Sequence, residues 1–350
     1  MTTARTTHPT WSEGSCDRAI AAIRGAGELN ILVVGDIMVD AYLMGRVDRI
    51  SPEAPVPILS ADRRERRPGG AANVALNLKA LGCAVTVAGI AGEDKDGRDL
   101  RKALDALDMD TSGIYTLEDR RTTVKTRIMS GGQHLLRVDE EDDLDLNEAA
   151  SQLFVEHLAK LLSATDFDAI LIEDYDKGTL SPVVIRGLLH LASERDIMVS
   201  VDPKFRHFDL YQGVALFKPN LKELREGLGL IWDDHDNNAM DRALTTGLDM
   251  LMDRMQPEHI LLTLSERGVR IRSTMEDVTQ AAHPREILDV SGAGDTVIAV
   301  ATALLAQGVD AVTMAQVANL AGGLVCEKSG VVPVDPDSLI AEMRRLPIQA

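Results

Sequence analysis

From Leu29 to Ser265 the chain repeats one alternation, a short apolar run rich in Val and Ile followed by a segment whose apolar residues recur at helical spacing. The runs are ILVVG at 31–35, VTVAGIAG at 85–92, DAILIEDY at 168–175, MVSVDPK at 198–204, VALFKPN at 214–220 and HILLTLS at 259–265. They are continuously apolar, as strands covered on both faces are, and helices between successive strands make those strands parallel. The helical segments fall at about 72–81, 96–107, 148–164, 181–195, 242–255, 293–307 and 312–328. The fold class predicted is a doubly wound α/β sandwich.

Two stretches break the rhythm. Residues 41–67 and 112–139 carry strand-like runs and turn signals with no helical period, VPILSADRRER and TTVKTRIMSGGQHLLRVD. Both are predicted to be antiparallel strands inserted into the main domain, pairing with each other as a small lid. Residues 1–28 form a polar N-terminal extension that contributes little, with 1–10 expected to be disordered. The acidic run EEDDLD at 140–145 reads as a solvated turn before a helix.

A formal net charge of −18 excludes nucleic acid and anionic membranes as partners, because such binding relies on Lys and Arg meeting phosphates. Between residues 41 and 67, however, six arginines stand against four acids, a local excess suited to a small anionic ligand. No run approaches the roughly 18–20 apolar residues of a membrane span, and the first residues lack the apolar core of a signal peptide, so a cytoplasmic protein is expected. Cys16, Cys83 and Cys326 are too widely spaced for a zinc site or a disulfide framework.

In an open α/β sheet, ligands sit beyond the carboxyl ends of the strands. Here those ends supply Asp36, Asp40, Asp174, Asp202, Lys204, Asn220, Thr263 and Ser265. The stretch DVSGAGDT at 289–296 opens an apolar helical segment. Free N–H groups of Gly292, Ala293 and Gly294 at a helix start form an anion site, and Asp295 in the first turn is placed to accept a hydroxyl proton. The same residues also fit a structural role, an acid complementing the helix dipole behind a Ser291 cap. KPNLKEL sets Asn220 and Glu223 three apart at a strand-to-helix junction, within reach of a hydrated Mg²⁺ or as a capping box. PGGAAN at 68–73 is a second glycine-rich turn opening a helix. Neither GxGxxG after the first strand nor GxxxxGK[ST] anywhere is present, so dinucleotide and P-loop folds lack support.

Taken together, DVSGAGD, PGGAAN and KPNLKE resemble the ribokinase-like, or PfkB, family of sugar kinases across about residues 29–340. The resemblance implies a three-layer α/β/α sandwich with a β-strand lid, using ATP and Mg²⁺. It implies Asp295 as catalytic base, Gly292, Ala293 and Gly294 as anion hole, and Asn220 and Glu223 as the pair organising Mg²⁺ through water. It further implies Thr263, Ser265, Glu266 and Gly268 as the nucleotide turn with Asn319 near adenine, and Asp40, Gly69, Gly70 and Asn73 on the sugar side. Ser291 replaces the threonine of many relatives. Asp289 matches a position that helps to bind a monovalent cation in some of them, and the sequence establishes no such site here. Within the family, VVGDIMVDAYLMGRVDRISPEAPVPIL, EDYDKG and VDPK look like heptose 7-phosphate kinases of lipopolysaccharide precursor synthesis. Some of these carry a nucleotidyltransferase domain with an HxGH element; none occurs here, which implies the kinase half alone.

The family motifs do not fix the cations for the substrate's own phosphate. Candidates are Lys177, Lys204, Arg137 and Arg127, with Asp174 on the substrate side, while the DRRERR run reads as a solvated edge. An adenine site lined by aliphatic side chains is expected from an aromatic content of 3%. Half-covered lid strands further predict a homodimer through the lids. Another sugar kinase of this fold, or a non-enzymatic sugar or nucleotide sensor, are the alternatives that the residues leave open.

Overall fold

A computed structural model describes residues 5–7, 10–232, 236–328 and 330–348. In chain order the elements are β1 (Arg5–Thr7), α1 (Ser15–Gly25), β2 (Asn30–Gly35), β3 (Ile37–Ile50), β4 (Pro57–Gly70), α2 (Ala71–Ala80), β5 (Ala84–Gly92), α3 (Lys95–Asp105), β6 (Asp110–Leu117), β7 (Thr123–Ser130) and β8 (Gln133–Glu140). There follow α4 (Glu148–Ala164), β9 (Ala169–Glu173), α5 (Pro182–Ser193), β10 (Met198–Asp202), β11 (Leu216–Phe217), α6 (Leu221–Leu228), α7 (Asn237–Met255) and β12 (His259–Thr263). The chain closes with β13 (Val269–Arg272), β14 (Asp277–Gln280), α8 (Ala293–Ala306), α9 (Ala311–Cys326) and α10 (Pro336–Met343).

The main sheet runs β1-β14-β13-β12-β11-β10-β9-β2-β5-β6, parallel except around β13, which is antiparallel to both neighbours. Side-chain parity along each strand sorts residues into two layers. Ile31 and Val33 of β2 enter the core beneath α2, α8 and α9, whereas Leu32 and Val34 enter the core beneath α4, α5 and α7. That is the predicted sandwich.

A second sheet, β4-β3-β7-β8, leaves the main one. β3 follows β2 directly and β4 runs into α2, so its root is covalently part of the sandwich. Two details differ from the sequence expectation. Residues 110–117 form β6, an edge of the main sheet parallel to β5. The central pair β3–β7 is also parallel, not antiparallel, although β3–β4 and β7–β8 are antiparallel hairpins. Both follow from direction: β3 and β7 continue outward from parallel strands β2 and β6.

The N-terminal expectation is corrected as well. Trp11 is 1% exposed and donates its indole N–H to the Met343 carbonyl at 2.8 Å, and Ala19, Ile20 and Ile23 of α1 enter the main core. Arg5–Thr7 extend the main sheet beside β14. An amphipathic helix that covers α8 and α9 cannot be a dispensable extension. The remainder of the expected disorder, at residues 1–4, 8 and 9, lies outside the described residues. Among the described residues no helix is long and apolar enough to cross a membrane.

Candidate active site

Helix α8 begins behind a left-handed residue, Gly292 at φ 79°, and no side chain caps it, so Ser291 is not the cap. Asp289 shapes the turn, its two oxygens accepting N–H from Ser291 at 2.9 Å and Gly330 at 3.0 Å. A Cβ on Gly292 would stand 3.0 Å from the Asn73 amide nitrogen and 3.1 Å from Val331, so both the positive φ and the crowding favour glycine. Asp295, 7% exposed, is the third residue of the helix. Asn73 donates to its Oδ2 at 2.5 Å and the Tyr175 hydroxyl to its Oδ1 at 2.9 Å. Burial pushes its pKa up, the Asn73 amide opposes this, and nearby Asp202 adds to the rise.

Asp295 lines a cleft of about 860 Å³ at the carboxyl ends of β9, β10 and β12. Lys218 faces Asp202 at 2.7 Å, both side chains almost fully buried. Lys204 donates to Glu223 at 2.5 Å, and its ammonium lies 5.1 Å from the Tyr175 ring centroid. Burial works against the Lys204 charge, but Asp202 and Glu223 outweigh it and hold its pKa above the ordinary value. Asn220 and Glu223 form a reciprocal capping box, with both bonds at 2.8 Å, so the structural reading of this pair is met while both still line the cleft. Glu173 is 1% exposed and its Oε2 has no hydrogen-bond partner among the described residues. Its carboxylate lies with those of Asp202 and Asp295, ligand atoms within 4.8 Å of one another, and burial pushes its pKa far up.

Opposite this wall, Thr263, Ser265, Glu266 and Gly268 line the cleft at a single turn after β12. Asn319 lines it too, donating to the Ala281 carbonyl at 2.9 Å and so holding the start of the segment that carries Ala282, Ile287 and Val290. On the far side of Asn73, Asp40 is buried and paired with Arg127. A Cβ on Gly69 would fall 2.3 Å from its Oδ2, so only glycine admits that carboxylate there. Gly70 is the residue before α2. Asn77, one turn beyond Asn73, accepts from the Thr296 hydroxyl at 2.9 Å and the Val334 N–H at 3.1 Å, which locks α2 to α8.

Three sequence candidates stand elsewhere. Arg137 is exposed and folds onto Asp139. Lys177 pairs with Glu141 at 2.7 Å, which also holds Lys125. Asp174 turns into the opposite layer, accepting from Tyr211 at 2.7 Å. Parity explains it: Ile170 and Ile172 face the layer of Tyr211, so Asp174 follows them, and the cleft receives Glu173 and Tyr175 instead. Lys204, one of the candidate cations for the substrate phosphate, lies in the cleft beside Asn220 and Glu223. Glu173, Tyr175 and Lys218 are among the cleft residues that the sequence reading missed, with His283 and Arg285, and strand parity was the available signal for the first two.

Burial and the neighbouring Asp36 push the Asp174 pKa up to about 7. The folded protein therefore keeps a proton that the unfolded chain releases near the ordinary value of 3.8, and stability contributed by this group falls as pH rises from there to about 7. Asp174→Asn, with the Tyr211 hydroxyl turned to accept, is expected to stabilise the protein at pH 8 relative to the parent. Urea midpoints at pH 8 that do not favour the variant would contradict this.

Against known proteins, the family model described as pfkB family carbohydrate kinase matches residues 28–337. The chain belongs to the pfkB family. The chain is similar to the Bifunctional protein HldE of Trichlorobacter lovleyi, 40% identical over 90% of this chain and 63% of that protein, and to that of Coxiella burnetii, 40% identical with the same coverage. The chain thus spans less than two thirds of these relatives. Among solved structures, phosphofructokinase-2 from Escherichia coli in complex with potassium superposes with a TM-score of 0.72 at 18% identity, covering 91% of this chain and 99% of that one. Arabidopsis thaliana ribokinase complexed with ribose and ATP gives 0.66 at 17%, covering 90% and 99%. These likenesses show the ribokinase-like fold, and the pfkB membership makes the chain a carbohydrate kinase.

Proposed function

We propose that this pfkB kinase transfers the γ-phosphoryl group of ATP to the anomeric hydroxyl of D-glycero-β-D-manno-heptose 7-phosphate, giving the 1,7-bisphosphate, a step of lipopolysaccharide precursor synthesis. The observation that carries it is Asp295, a buried carboxylate at a helix start, held between Asn73 of the sugar-side turn and Tyr175 of the cleft wall. The acceptor itself rests on the likeness of the first-strand segment, EDYDKG and VDPK to heptose 7-phosphate kinases.

In this reading the hydroxyl oxygen attacks the γ-phosphorus, its proton passes to Asp295, and the bond to the bridging oxygen breaks to release ADP. The first-turn N–H groups of α8 and the Lys218 and Lys204 ammoniums border the space where charge develops. The residues fit a divalent cation: Glu173 offers an unpartnered buried oxygen beside Asp202, while Asn220 and Glu223 sit within reach through water. When bound, Mg²⁺ would neutralise phosphate charge. The nucleotide base is assigned to the aliphatic end of the cleft, near Val269, Ala282, Ile287 and Asn319.

ADP release measured with heptose 7-phosphate, fructose 6-phosphate, ribose and 2-keto-3-deoxygluconate tests the acceptor. Heptose 7-phosphate is expected to give the highest kcat/KM; preference for another sugar overturns the acceptor alone, and ligand binding without ADP release favours a sensor.

A homodimer through the second sheet belongs to the same proposal, supported by Leu136 and Val138, exposed neighbours on one face of β8. A monomeric mass in solution at micromolar concentration would count against it. A cytoplasmic location is also part of it.

A further inference from the structure

The arginine-rich run at 62–67 lies in β4, where successive side chains alternate between faces. Arg66 turns to Asp96 on one side, while Arg67 shares the other with Glu65. The register sets Asp40 opposite Arg67 and Lys125, and Tyr42 opposite Glu65 and Arg127. The Arg67 and Arg127 guanidiniums consequently lie over one ring, 5.4 and 5.3 Å from the Tyr42 centroid. Burial pushes the Tyr42 pKa up, so its hydroxyl is a neutral donor.

This pair borders the acceptor space. Arg67 donates through Nη1 to the Val331 carbonyl at 3.1 Å, and the Val331 side chain packs against the Gly292 turn that starts α8. Arg127 reaches the same space from the other side through Asp40. Among the described residues Asp40 is the one hydrogen-bond acceptor of Arg127, whose guanidinium carries five N–H groups. Lys125, Lys177 and Arg137, by contrast, are engaged by Asp139 and Glu141. Each guanidinium already has one carboxylate, Glu65 for Arg67 and Asp40 for Arg127, and an anion between them would take up N–H groups that those carboxylates leave over. Guanidinium forks match phosphate oxygens in geometry as well as charge.

We propose that Arg67 and Arg127, carried by Tyr42, form the subsite for the phosphate ester of the acceptor, at the end of the sugar away from Asp295. This rests on the sugar-phosphate acceptor proposed above and assigns the cations that it requires. The subsite makes the kinase select phosphorylated over free sugars.

Arg67→Met removes one fork from a half-exposed position and leaves Asp40 paired. Its KM for heptose 7-phosphate is expected to rise about 10- to 100-fold, as loss of a charge-assisted hydrogen-bonded pair implies. The preference for heptose 7-phosphate over the free heptose should narrow by the same factor, with Arg67→Lys falling between. ATP affinity on the same samples reports the fold. An equal change for both sugars, or none, overturns the subsite. A second arm is independent of the acceptor's identity: isothermal titration of inorganic phosphate with the donor cleft filled by a non-hydrolysable ATP analogue and Mg²⁺. Weaker phosphate binding by Arg67→Met supports the subsite even where heptose 7-phosphate is not turned over, an outcome that removes only the proposed acceptor. Equal phosphate binding by parent and variant overturns the subsite.

Discussion

Asp295→Asn is expected to fold and bind ATP as the parent does while turnover falls by roughly 10²- to 10⁴-fold, the range for loss of a positioned base. The fold is spared because an amide fits the same two partners. Its oxygen can accept from Asn73, and its NH₂ can donate to a Tyr175 hydroxyl turned to accept. The base is lost because an amide takes no proton. The parent's pH profile should carry the same signature. Burial raises the Asp295 pKa above the ordinary 3.8, and the base works only when ionised. As pH falls through that raised value, kcat declines, at a higher pH than an exposed aspartate would dictate. Turnover of Asp295→Asn within about tenfold of the parent would remove Asp295 from the proton transfer.

Lys218→Met should be the most destabilising of the substitutions considered. The ammonium and the Asp202 carboxylate are 2.7 Å apart, with side chains 3% and 6% exposed. Removing one member of such a pair costs about 3–5 kcal/mol, because the other is left charged and unsolvated. Here the residual charge also meets Glu173 and Asp295. The urea midpoint should fall accordingly, and Lys218→Met/Asp202→Leu should recover much of the loss, since apolar replacement of both partners removes the stranded charge. The double variant should stay inactive, having lost two polar groups from the cleft. A single variant within about 1 kcal/mol of the parent would show that solvent reaches Asp202 freely.

The main sheet was legible because its strands are short, β-branched and separated by helices of ordinary length, so periodicity alone located β2, β5, β9, β10 and β12. The glycine turns before α2 and α8 were legible too, each marking a place where backbone passes close to another group. Side-chain direction was harder. Asp174 stood out as an acid at a strand end, yet its neighbours Glu173 and Tyr175 occupy the cleft, because Leu171 rather than Ile172 shares their layer. Counting parity back from the apolar run would have separated them. The direction of β7 relative to β3 was not legible, since pairing between distant segments depends on where each leaves the main sheet. Arg67 was read as solvated with the rest of its run; only the β3–β4 register separates it from Arg66.

The short stretch Gly69 to Asn73 has no loop in it: β4 ends at Gly70 and α2 begins at Ala71. At one end lies the contact with Asp40, and at the other the amide that holds Asp295. Gly70, at φ 60° and ψ −134°, is the only pivot between them. Two sides of the acceptor space are therefore joined by a few consecutive residues of backbone, and because Asn77 also ties α2 to α8, the spacing between Asp40 and Asp295 is set by covalent geometry at Gly70.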